Sequence, residues 1–140
     1  MPDNSKISQW SLTLLRVVVG FIFLYHGYLK LFMPGGFVGT VGFFTKIGII
    51  VPNISALVVS IVEFLGGLFL IFGMAIRWTT FALIFEMLVA FFIIHRKNGL
   101  LVSNNGYEFV LLIMAALLLV HTNGAGRLSL GKMFKKKILQ

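Results

Sequence analysis

Four long apolar runs, each closed by a turn or a cluster of charges, limit what this chain can fold into. The first, residues 12–32, is 21 residues long. As a helix it would span about 31 Å, close to the ~30 Å hydrocarbon core of a bilayer. The second, 54–72, follows Pro52 and Asn53, a helix-start signal. A tight turn at 73–77 leads directly into the third, 78–94, which stops at His95, Arg96, Lys97, Asn98 and Gly99. The fourth, 107–122, follows Asn104-Asn105-Gly106 and ends at Asn123-Gly124. Its 16 residues would cover about 24 Å, a little short for a bilayer.

Composition closes the soluble alternative. Fifty-nine per cent of the 140 residues are apolar and 11% are charged, whereas soluble domains carry about a quarter charged residues. The mean hydropathy is +1.00, and a single domain of this size could not hide so much apolar surface from water. The expectation is an all-α integral membrane protein. Residues 1–140 would form one domain, an up-down four-helix bundle with spans near 12–32, 54–72, 78–94 and 107–122. Lys6 ahead of an apolar stretch resembles a secretory signal, but the stretch is too long and no Ala-x-Ala site follows, so it reads as an uncleaved first helix. Residues 33–51 carry Phe37, Phe43, Phe44 and Lys46 among several glycines, and read as a short interfacial segment. An ordinary connecting loop fits the same residues.

The net charge of +8 does not point to nucleic acid, because the basic residues lie at the ends of the runs and in the tail 127–140. Membrane lipids are the expected partner. With four spans, one face collects Lys6, Arg77, Arg127, Lys132, Lys135, Lys136 and Lys137, and the other has Lys30, Lys46, Arg96 and Lys97. Seven against four predicts a cell-membrane protein with both termini in the cytoplasm. Trp10, Tyr25 and Trp78 read as interface anchors. Cysteine is absent, so the chain has no thiol couple of its own, no disulfide and no thiolate metal site, and no metal site of another kind is expected. Electrons for any redox chemistry would come from a bound cofactor or a partner subunit.

Ionisable groups inside a span are rare and expensive, so they carry most of the information. Glu63 and Glu86 each lie about nine residues into their runs, near the bilayer midplane. Helical spacing puts Arg16, Gly20, Phe23, Gly27 and Lys30 on one stripe, with His26 beside it. It does the same for Ala56, Ser60, Glu63 and Gly67, and for Thr79, Ala82, Glu86 and Ala90. His26, Lys30, His95, Tyr107 and Glu108 fall at the outer ends of spans. Glu63 and His26 are therefore the candidate proton-transfer groups, and Lys30, Glu86, His95, Tyr107 and Glu108 the candidate ligand-binding groups. The structural alternative is that Glu63 and Glu86 pair with Arg16, Lys30 or backbone groups and only lock the helices. His121 reads as an interfacial residue. Two histidines can ligate haem, but nothing in the spacing requires it, and haem is disfavoured.

Several short motifs run in order along most of the chain. They are Leu15-Arg16 with Gly20, His26-Gly27-Tyr28-Leu29-Lys30-Leu31-Phe32, Phe43-Phe44, Ile47-Gly48 and Pro52. Then come Glu63-Phe64-Leu65-Gly66-Gly67-Leu68, Gly73, Arg77, His95, Gly106-Tyr107-Glu108 and Gly124-Ala125-Gly126-Arg127-Leu128-Ser129-Leu130. Together they resemble the DoxX family of small membrane proteins. Family members commonly have an aspartate after the Ser-Leu pair, where this chain has Gly131. The resemblance implies a four-helix membrane bundle. Among the relatives it brings in are a subunit of a thiosulfate:quinone oxidoreductase and proteins described as oxidoreductases in oxidative, thiol, or quinone and catechol stress. The implied function is a membrane oxidoreductase or redox-complex subunit that meets a quinone. A small proton-coupled transporter, which would be a homodimer, and a non-catalytic membrane scaffold are the rival readings.

Overall fold

A computed structural model describes residues 4–131 and 133–134. Lys132, Lys135, Lys136, Lys137 and Gln140, which include most of the basic tail, lie outside the described residues. The described chain is all helical, with no strand: α1 (Asn4–Phe32), α2 (Gly36–Lys46), α3 (Pro52–Phe72), α4 (Ile76–Ala90) and α5 (Glu108–Asn123). Three helical stretches are long and apolar enough to cross a membrane: Lys6–Phe32, Pro52–Phe72 and Ile76–Asn98. The protein is a multi-pass membrane protein. Helix α5, at 16 residues, is shorter.

Three boundaries differ from the apolar runs. Helix α1 begins at Asn4, well before the run at 12, because residues 4–11 are polar but contain no helix breaker. The centre of 33–51 is not an open loop. It forms α2, which starts behind the left-handed Gly35 (φ 77°) and buries none of its residues fully. Helix α4 does not end cleanly at His95. It passes into a π-helical turn at Phe91–His95 and a 3-10 turn at Arg96–Asn98, and Gly99 ends the helical stretch at φ 78°.

The main packing unit is α1 against α3. Gly20 and Gly27 of α1 meet Gly67 and Phe64 of α3, so the two helices run antiparallel. A Cβ on Gly67 would lie 2.6 Å from the Gly20 carbonyl oxygen, and one on Gly27 would lie 2.6 Å from the Phe64 Cα. Only glycine permits that approach, as expected where helices associate without water to drive them together. Leu70, Leu83, Leu117 and Val120 are completely buried in the core, with Val19, Phe23 and Ile113 beside them. Phe21 and Leu112 face outward, the arrangement a lipid solvent favours.

Arg16 is buried to 1% exposure. Its guanidinium donates to the Leu70 carbonyl in the last turn of α3, and at 2.7 Å to the Leu128 carbonyl in the C-terminal segment. A cation at a helix C-terminus satisfies carbonyls that have no helical partner. Ser129 Oγ donates to the Gly73 carbonyl at 2.8 Å, and the Arg127 amide donates to Thr13 Oγ1 at 2.9 Å. The Gly124–Gly131 segment is thus folded back onto the ends of α1 and α3. Thr80 Oγ1 and His121 Nδ1 are 2.8 Å apart and tie α4 to α5, so His121 also serves packing.

Candidate ligand cleft

The sequence places Glu63 and Glu86 in mid-helix, and the packing brings them to the same point. Glu63 is 5% exposed and receives a 2.5 Å ion pair from Lys30 Nζ, which reaches it from the last turn of α1. Glu86 comes from α4 and lies within hydrogen-bonding reach of the Glu63 carboxyl. Its Oε2 is buried and has no partner among the described residues. Three helices therefore converge on one Lys30–Glu63–Glu86 cluster.

The cluster sits in the wall of a cleft of about 960 Å³ between α2, α3 and α4. That size is within the usual range for small-molecule sites. The walls are mainly aliphatic and aromatic, with Val59, Val62, Phe81 and Phe85 among them, and Gly36, Gly39, Thr40 and Phe43 come from α2. His95 also lines the cleft. Its Nδ1 is 2.8 Å from the Asn105 carbonyl. A carbonyl only accepts, so Nδ1 carries the proton and Nε2 is the nitrogen left for other partners. The π-helical turn that holds His95 belongs to a class of irregularity often found at functional sites.

The structure thus assembles Glu63, Glu86, Lys30 and His95, and separates the other three candidates from them. His26 is exposed on α1 and does not line the cleft. Tyr107 packs edge-on against Phe91, with ring centroids 5.3 Å apart. Glu108 Oε1 accepts the Val102 amide at 2.5 Å and so orders the turn before α5. Neither Tyr107 nor Glu108 lines the cleft. Position at the outer end of a span alone did not separate them: Lys30 and His95 reach the cleft, whereas Tyr107 and Glu108 are taken up by local contacts and His26 stays exposed.

The third polar stripe also reads differently. The buried face of α4 is Ile76, Thr79, Thr80 and Leu83, whereas Ala82, Glu86 and Ala90 line the cleft. The small Ala82 and Ala90 there border open space and do not sit at a helix contact. The α2 wall was missed by sequence reasoning, although its signal was present. Gly36, Gly39, Thr40 and Phe43 have i, i+3, i+4, i+7 spacing, which puts them on one helical face. Among the described residues, no three His, Asp or Glu side chains come together as a metal site.

The DoxX family model matches residues 11–96 of the chain. An uncharacterized protein of Haemophilus influenzae is 32% identical over 145 aligned residues, covering 98% of this chain and all of the relative. The chain belongs to the DoxX family. A second uncharacterized Haemophilus influenzae protein is 40% identical over 67 residues, and the Bacillus subtilis protein named "Putative oxidoreductase CatD" is 42% identical over 64. Each of these two matches spans 44% of the relative's length, and so less than half of it. No solved structure matches the chain significantly. The matched region, 11–96, contains every polar residue of the cleft: Lys30, Thr40, Ser55, Glu63, Glu86 and His95.

Proposed function

We infer that this DoxX protein binds a lipid-soluble, quinone-type molecule in the cleft and serves as the membrane subunit of a redox system. The observation that carries the reading is the pairing of apolar walls with the charged Lys30–Glu63–Glu86 cluster, on helices of membrane-spanning length and composition. A hydrophobic ring and tail fit such walls, while Lys30, Glu86 and His95 offer hydrogen bonds to a ring carbonyl. Reduction of a quinone also takes up protons, and carboxyl and imidazole groups are the residues that deliver them. The relative named as an oxidoreductase supports the same class. With no cysteine in the chain, the electrons come from a cofactor-bearing partner subunit.

In this reading α1, α3, α4 and α5 are four spans of an up-down bundle in the cell membrane, forming one domain over 1–140, with both termini cytoplasmic. The excess of basic residues on the terminal side sets that orientation. The cleft then opens in the outer half of the bilayer. The test is equilibrium binding of a short-tailed quinone analogue to the protein in lipid nanodiscs. Saturable binding that is lost in Val59→Trp, which fills the cleft, supports the reading; binding that Val59→Trp leaves unchanged refutes it.

A further inference from the structure

The polar cluster contains an odd number of charges. Lys30 supplies one positive charge, and Glu63 and Glu86 supply two carboxyls that lie within hydrogen-bonding reach of each other. Two adjacent carboxylates with one ammonium would leave a net negative charge among apolar walls, where uncompensated charge is very costly. Carboxyl pairs this close share a proton for the same reason. One proton makes the cluster neutral.

The hydrogen bonds indicate where that proton lies. Glu63 already accepts from Lys30 Nζ at 2.5 Å, which suits an ionised carboxylate. The Oε2 of Glu86 is buried with no donor among the described residues. A carboxylate oxygen left in that state would lose its hydration without replacement. In a protonated Glu86 that oxygen is a neutral carbonyl, and the hydroxyl on the other oxygen donates to Glu63. The result is a short chain from Lys30 ammonium to Glu63 carboxylate to Glu86 carboxylic acid.

The other charged groups of the neighbouring elements do not disturb this count. His95, also in the cleft wall, holds the Asn105 carbonyl through Nδ1. Helix α2 contributes no titratable side chain to the cleft. On α5, Glu108 is bonded to the Val102 amide and His121 to Thr80. Arg16 of α1 is committed to the Leu70 and Leu128 carbonyls.

We propose that Lys30, Glu63 and Glu86 form a one-proton site in which Glu86 carries the exchangeable proton, and that this is the proton the cleft offers to an oxygen of its bound ligand. The second half rests on the cleft being the ligand site; the first half stands without it. Glu63 then acts as the fixed anion that positions Lys30 and Glu86, which reverses the roles that sequence position alone suggests.

Infrared spectroscopy of the full chain in lipid nanodiscs at neutral pH counts protonated carboxyls directly. The parent protein should show one protonated-carboxyl band that shifts in deuterium oxide. Glu86→Gln should abolish it. Glu63→Gln should abolish it too, because Glu86 then becomes the sole counter-ion of Lys30. Lys30→Met should double its area, since two carboxyls then need two protons. No band in the parent, or one that survives Glu86→Gln, overturns the proposal, and these two samples suffice if Lys30→Met does not fold. Adding a short-tailed quinone analogue should shift the parent band, and a bound analogue that leaves the band unmoved overturns the second half. If the analogue does not bind at all, the quinone reading and the offered proton fall together, and the band count still decides the one-proton site.

Discussion

Glu63 and Lys30 are 33 positions apart in the chain and 2.5 Å apart in the fold, and two glycines account for much of that closeness. Gly27, one turn before Lys30, lies against Phe64, the residue after Glu63. Gly67, one turn past Glu63, lies against Gly20 and Leu24. The ion pair thus sits at the end of a helix contact that tolerates no side chain. Gly67→Leu forces a Cβ to within 2.6 Å of the Gly20 carbonyl oxygen, where backbone cannot yield as a side-chain tip can. Overpacking of this kind costs about 1–3 kcal/mol and often more against backbone. Gly67→Leu should melt well below the parent, and Leu65→Ala, on the exposed face of the same helix, should melt close to it. Equal melting of the two variants in detergent would show that the α1–α3 contact does not control stability.

The helices that pack by their apolar content were legible, and those that act by shape were not. Helices α1, α3 and α4 follow long apolar runs, and the stripes through Gly20 and Gly67 predicted the faces that meet. Glu63 and Glu86 stood out because a carboxylate in an apolar run has few structural excuses. Helix α2 was hidden because it is short and rich in glycine, a composition that reads as a loop although its cleft-facing residues repeat at helical spacing. Glu108 misled because its carboxylate satisfies a loop amide, a local need that spacing along a span does not reveal. The same features give α2 a clean test. A Cβ on Gly39 meets no atom within 4 Å, although Gly39 lines the cleft. Gly39→Leu should therefore fold and melt like the parent, yet bind a quinone analogue at least about tenfold more weakly, a loss of ~1.4 kcal/mol. A variant that binds normally would remove α2 from the site.

Taken as one object, the molecule has a packed end and an open end. At the packed end Arg16, Gly73 and Ser129 hold the C-terminal segment against α1 and α3. At the open end α2 takes part in a cleft that α1 does not fill. The proposed orientation puts the packed end at the cytoplasmic surface, where Arg127 lies 5.3 Å over the Trp10 ring. Reporter fusions should then report the cytoplasm at the Arg77 turn and the opposite side at Lys97, and the reverse result would invert the model. The central claim is narrower, that the cleft above Lys30, Glu63 and Glu86 is where a quinone-type ligand binds. A photoreactive quinone analogue, cross-linked in native-like lipid and mapped by mass spectrometry, tests it most directly. Labels confined to cleft residues such as Val59 and Phe85, and removed by excess unlabelled analogue, are the predicted result; labels spread over outward-facing residues such as Phe21 and Leu112, and insensitive to competitor, would contradict it.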